Sequence, residues 1–154
     1  MWTPPKNNWN VNDIVTAQDL NAIGDNLNYL KTPNFRARVT LTPATSTNAT
    51  SFFATRATLS PLTRGGDLMV GFYANVSHTV GSAGYFDIAL DGVRVALDGF
   101  NGSLRVDATS TRVPVSLSLL ITGVTTGSHT LTLQWRTDQQ WLEMGIGQFW
   151  AFEL

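Results

Sequence analysis

The chain has 154 residues, enough for one compact domain with an appendage, and its net charge of −1 offers no electrostatic attraction to nucleic acid or an anionic membrane. Hydrophobic residues make up 43%, so a core can form, while charged residues make up only 14%, well below the usual quarter or so. No cysteine is present, which excludes a disulfide framework and thiolate metal sites.

Residues 1–14 are rich in Pro and Asn and predict no regular structure. They carry Trp2 and Trp9. Tryptophan is costly to leave in water, so both are expected to anchor this arm on a partner or on the body. The plainer alternative is that Trp9 packs against the start of the next element. The opening MWTPPKNNWN has no apolar run after its charge and predicts no secretory leader. No stretch approaches the ~20 apolar residues of a membrane span. Work outside a cell would then need another exit, such as lysis.

Residues 15–31, VTAQDLNAIGDNLNYLK, predict a helix. Thr16 suits the N-cap, Asp19 three residues on suits the return arm of a capping box, and Val15 could staple onto Leu20. Leu20, Ile23, Leu27 and Leu30 recur at spacings of three, four and three. That is a narrow seam rather than a broad core-facing stripe. Pro33 stops the helix at or before Thr32. Asn21, Asp25, Asn26 and Asn28 are poor helix formers, so about four turns of this composition need a partner. Two packings are open: onto the chain's own body, or onto copies and a larger assembly.

From Phe35 the period becomes two. Phe35 to Leu41 alternates and ends at Pro43. Residues 52–59 give a second strand. Leu68 to Val76 gives a third, whose other face (Met69, Gly71, Tyr73, Asn75) is also rather apolar and is expected to be covered. Gly81 to Gly84 reads as a loop. Phe86, Ile88 and Leu90 lead into Asp91-Gly92 and then Val93, Val95 and Leu97. This is the strongest hairpin signal, since Asp-Gly supplies the positive φ angles of a type I′ turn. Leu104 to Ala108 and Val113 to Ile121 follow, with Pro114 marking an edge. Thr126-Gly127 turns into His129 to Trp135, and a last strand runs from about Trp141 to Leu154. Eight or nine strands with such turn spacing predict an all-β fold, an antiparallel jelly-roll sandwich over residues 34–154, behind an arm and α-helix over residues 1–33.

Catalytic equipment is sparse. His78 and His129 are the only imidazoles. His129 shares the parity of Leu131 and Leu133 and reads as a packed, hydrogen-bonded histidine; His78, at a strand end, reads as solvated. No His/Cys metal pattern exists. Asp87, Asp91, Asp98 and Asp107 are calcium candidates by count alone, and Asp91 and Asp98 are already explained by turns. Paired glycosidase carboxylates are invisible to sequence order. The expectation is no enzyme, no cofactor and no metal. Arg36 and Arg38 are too few for a nucleic-acid surface.

Two stretches carry a resemblance. TAQDLNAIGDNLNYL, preceded by Trp9 to Val15, resembles the short helical motif near the N-termini of bacteriophage virion proteins. GSHTLTLQW, residues 127–135, resembles the penultimate strand of trimeric jelly-roll heads on phage fibres and related surface proteins. Those heads are similar in build to tumour-necrosis-factor-like and complement-like trimers, and commonly end on a strand with an acidic residue, here Glu153. The chain departs from a long fibre in having no shaft between stem and head.

The resemblance implies a non-enzymatic virion protein on the particle surface. It would be a homotrimer bound to other virion proteins of capsid or tail, either a capsid decoration protein or a short tail tip. The attachment and oligomer residues would be Trp2, Trp9, Val15, Leu20, Ile23, Leu27 and Leu30. The alternatives are a receptor-binding adhesin that takes a host surface glycan on loops at Tyr85, Phe100, Asn101 and Trp141, and a small glycosidase. No nucleic-acid or membrane partner is expected.

Overall fold

The computed structural model describes residues 16–31, 36–51, 53–78, 82–95, 102–107 and 111–154, the side chains of residues 28–31 and 62 excepted. The chain divides into two compact units, residues 1–34 and 35–154.

The first unit holds α1 (Ala17–Lys31). Its start is the reciprocal cap that Thr16 and Asp19 predict. Asp19 N donates to Thr16 Oγ1 at 3.2 Å, while Asp19 Oδ2 accepts from Thr16 N at 2.9 Å and from the Thr16 hydroxyl at 2.6 Å. Two orphan donors are satisfied, and a carboxylate lies at the positive end of the helix. The faces of α1 are unequal in an unexpected sense. Asn26 is 4% exposed, whereas Leu20, Ile23 and Leu27 are 59%, 43% and 50% exposed.

The second unit is a sandwich of two antiparallel sheets. The first contains β1 (Arg36–Leu41), β10 (Leu142–Glu153), β4 (Leu62–His78) and β8 (Val113–Ser128), hydrogen-bonded in that order. A short β2 (Thr45–Thr47) takes over the edge of β10 where β1 stops. The second contains β3 (Ala54–Leu59), β9 (Leu131–Thr137) and β5 (Ala83–Leu90), then β6 (Val93–Arg94) and β7 (Leu104–Asp107), which share the remaining edge of β5. Counting β1 with β2, and β6 with β7, as halves of one strand leaves eight. Their order is first-eighth-third-sixth facing second-seventh-fourth-fifth, which is the jelly roll.

The local chemistry explains most boundaries. Asp91 and Gly92 take φ angles of 51° and 82°, the two positive values that a type I′ turn needs between β5 and β6. Pro114 lies near the start of β8, the last strand of its sheet, a position where proline is tolerated. Gly81 to Gly84 is not all loop: Ala83 and Gly84 already belong to β5. β8 continues to Ser128 past the expected turn at Thr126-Gly127, because the early part of β4, from Leu62, pairs with it there.

The core lies between the sheets. Leu68, Val70, Phe72, Ala74 and Val76 point inward from β4 and meet Phe86 and Ile88 of β5 and Leu131, Leu133 and Trp135 of β9. The Phe72 and Phe86 rings touch across the sandwich at a centroid distance of 5.5 Å. Each such ring contributes a few kcal/mol of burial, plus the contact itself. Phe72→Ala is therefore expected to lower unfolding free energy by about 3–5 kcal/mol. Denaturant unfolding of the two proteins measures this, and a change below about 1 kcal/mol would mean that the two sheets do not meet here.

Candidate functional site

Three polar clusters could carry chemistry, and each has a structural explanation. The first joins His78, Ser82, Thr137 and Asp138. His78 Nε2 lies 2.8 Å from Thr137 Oγ1 and 3.5 Å from Ser82 Oγ, while Ser82 donates to Asp138 Oδ1 at 2.5 Å. A serine triad places its acid on the far nitrogen of the imidazole; here the acid takes the serine proton itself. Asp138 Oδ1 also accepts from Ala83 N at 2.6 Å, so the carboxylate fastens the start of β5. Burial pushes Asp138 up, but the bonds from Ser82, Ala83 and its own backbone outweigh this and hold it below its usual value. His78 is 1% exposed, which corrects its reading as solvated. Its strand end is roofed by Ser82 and Thr137, a closure that adjacent sequence does not reveal.

The second cluster surrounds Asp87, which is fully buried. Burial raises its pKa against the opposing bonds from Ile88 N at 2.8 Å and Ser103 Oγ at 2.9 Å and the charge of Arg94. It ties β5 to the segment before β7. Nearby, Arg94, Phe53, Arg136, Tyr85 and Arg105 alternate as cation and ring, with Arg94 4.5 Å from the Phe53 centroid and Arg136 4.2 Å from the Tyr85 centroid. This corrects the reading of Tyr85 as an exposed loop residue. Tyr85 lies within β5, 7% exposed, its outward ring covered by these guanidinium groups.

The third cluster latches two chain turns together. His129 Nδ1 lies 2.7 Å from Asp91 Oδ2, and Nε2 lies 2.9 Å from Thr125 O. Thr130 N donates to Asp91 Oδ1 at 2.7 Å, and Asp91 N donates back to Thr130 O at 2.8 Å. His129 is thus hydrogen-bonded, as its parity suggested, but its partners were not legible. Asp91 serves both its own turn and this latch.

Among the described residues, no group of three or more His, Cys, Asp or Glu side chains is placed to hold a metal ion. Asp98 lies outside them. No described helix is long and apolar enough to cross a membrane.

What remains is a surface. The outward row of the first sheet reads Arg36, Phe152, Met69, Leu120 across the four strands, and the next reads Arg38, Trp150, Gly71, Ser118. Gly71 has no side chain, and the Trp150 indole occupies the place a Cβ would take. Trp150 and Phe152 stack at 5.5 Å with their planes 14° apart. Along their flank Arg36, Ala37 and Arg38 complete a groove of about 620 Å³. Farther across the sheet, Tyr73 and Leu120 are 50% and 52% exposed, so this face is apolar and open. The pairing of Phe149 with Trp150 on opposite sides of one strand is the sequence signal for it.

Of the sequence candidates, Leu20, Ile23 and Leu27 share the exposed face of α1, and Trp141, 45% exposed, stands just before β10. Leu30 lies on α1, its side chain outside the described set. Trp2, Trp9, Val15, Phe100 and Asn101 also lie outside the described residues. No model of a known protein family matches the chain, and neither does any curated protein.

The latch yields a pH prediction. Both partners of His129 are acceptors, so only the imidazolium satisfies both nitrogens. The bond to Asp91, then that to Thr125, raises the His129 pKa above 6.5. The same bond, then that from Thr130, lowers Asp91 below 3.8. A raised histidine stabilises fully below its unfolded pKa and loses this as pH rises through the folded value; a lowered aspartate loses its part as pH falls through the folded value. The latch is therefore fully engaged between about pH 4 and 6.5. Thermal unfolding from pH 5.5 to 8.5 should show a loss of stability in the native chain that His129→Gln abolishes. Parallel pH profiles for both would refute the latch.

Proposed function

We propose that this chain is a non-enzymatic structural subunit of a phage particle, a trimeric jelly-roll knob that its N-terminal segment fastens to capsid or tail. The observation that carries the reading is the seam of α1. Leu20, Ile23 and Leu27 stay open to solvent on a helix whose Asn26 is buried. A short helix rich in asparagine does not hold itself in water, and an amphipathic helix that presents its leucines outward is waiting for another surface. Covering each such side chain contributes up to roughly 1.5–3 kcal/mol, so three per chain supply a useful association energy.

The apolar face of the first sheet supports the same reading. Tyr73 and Leu120 are exposed and Trp150 and Phe152 half-buried on this one face, and contiguous apolar surface of this kind marks interaction sites. The trimeric order and the particle come from the resemblance of residues 16–30 and 127–135 to phage virion proteins with jelly-roll heads. Trp141 favours a second reading, a receptor-binding head that takes a host glycan at the end of the sandwich.

Light scattering on the purified full chain is expected to give three times the chain mass. Replacing Leu20 and Leu27 together with asparagine should return it to the mass of one chain with the sandwich still folded. A native chain that stays monomeric at high concentration would sink the assembly reading.

Attachment is tested separately. Removing residues 1–31 should leave a soluble, cooperatively folding sandwich that no longer joins particles. Particle binding that survives the truncation would move the attachment surface onto the sandwich.

A further inference from the structure

The groove between β1 and the end of β10 has a chemistry of its own. Arg36 and Arg38 alternate outward on an edge strand, each in register with an aromatic residue, Phe152 and Trp150 respectively. Both arginines are exposed, and neither has a carboxylate partner among the described residues. The other arginines of the sandwich behave differently. Arg64, Arg94, Arg105 and Arg112 pair with Glu153, Asp87, Asp107 and Glu143. Arg56 and Arg136 donate to the carbonyl oxygens of Pro43 and Thr50. Two guanidinium groups without an acid, spaced two residues apart on one strand face, form a fork for a carboxylate supplied from outside.

The floor beside them selects the rest of the ligand. The Trp150 indole reaches over Gly71, into the place that a side chain there would take. With Phe152 stacked against it at a centroid distance of 5.5 Å, it presents a half-buried aromatic surface beside the arginines. The C–H face of a pyranose ring suits such a platform, while its hydroxyls stay in solvent. The groove of about 620 Å³ lies within the ~300–1,000 Å³ typical of small-ligand sites. Two cations and a net charge of −1 do not suit a polyphosphate chain.

We propose that this groove binds a carboxylate-bearing sugar, with Arg36 and Arg38 on the acid and Trp150 and Phe152 beneath the ring. The site is distinct from Trp141 and rests on the glycan-binding reading only in its ligand class. It does not depend on self-association.

The test is calorimetric titration of the full chain with trigalacturonate and with 3′-sialyllactose. The neutral counterparts, trigalacturonate methyl ester and lactose, serve as controls. At least one acidic sugar should bind, its neutral counterpart at least tenfold more weakly, and the binding should weaken as salt rises. Arg36→Ala with Arg38→Ala should weaken it tenfold or more, Trp150→Ala likewise, and Trp141→Ala should leave it unchanged. Should Trp150→Ala lose its cooperative melt, the exposed arginine pair decides alone. Failure of both acidic sugars to bind, equal affinity for the neutral forms, or binding indifferent to the arginine pair overturns the proposal. Light scattering on the same samples separates the two readings. A monomer that binds keeps this site and removes the assembly, and a trimer that does not bind does the reverse.

Discussion

A strand has two faces, and β4 spends them differently. Leu68, Val70, Phe72, Ala74 and Val76 fill the sandwich, while Met69, Gly71, Tyr73 and Asn75 face away. β4 is hydrogen-bonded to β10 on one edge and to β8 on the other over most of its length. A slip of one residue in either pairing would put Phe72 outside and Tyr73 inside, so the register is held by the whole core. The outer surface inherits that register. Trp150 lies over Gly71, and Arg38 beside Trp150, because Phe149, Phe72 and Leu117 are in register on the inner side. The groove is thus a consequence of the core, and disturbing the core would dismantle it.

The two sheets finish their outer faces by opposite means. On the second, β5 is buried on both sides. Asp87 is enclosed by Ser103 and Arg94, and Tyr85 is covered by guanidinium groups that alternate with aromatic rings. These contacts close that face with the chain's own residues. On the first sheet the corresponding positions hold Tyr73, Leu120, Trp150 and Phe152, and among the described residues no comparable set of charged contacts covers them. A fold that can cover one face and leaves the other apolar has an asymmetry that solubility alone does not require.

Much of this was legible in the order of residues. Thr16 with Asp19 announced the helix start, Asp91-Gly92 the hairpin, Pro114 an edge, and strict alternation the inward sets of β4, β8 and β9. Each of these depends on neighbours within a few residues. Parity says which side of a sheet a residue faces; it does not say what lies above that side. Tyr85 therefore read as exposed, although Arg136, from a strand some fifty residues on, covers it. His78 read as solvated for the same reason, since Thr137 closes over it. Val93 to Leu97 and Leu104 to Ala108 read as separate strands; that β6 and β7 share one edge of β5 was not legible, because neither segment names its partner. Arg36 and Arg38 were visible as a pair, but their meaning depended on Trp150 and Phe152, over a hundred residues away.

The seam and the sheet face, taken together, constrain how copies could meet. With 14% charged residues and a net charge of −1, little repulsion keeps chains apart. If copies of the chain cover this apolar surface, the arrangement must close, or association continues without limit. If the seam of one copy met the sheet face of the next, the contact would be heterologous, and it would grow into a filament unless the rotation closed a ring. If each seam met its own counterparts around an axis, the helices would satisfy one another and the number of copies would be finite. The narrow spacing of Leu20, Ile23 and Leu27 suits the second case, because a seam two side chains wide fits helices running side by side rather than a broad sheet.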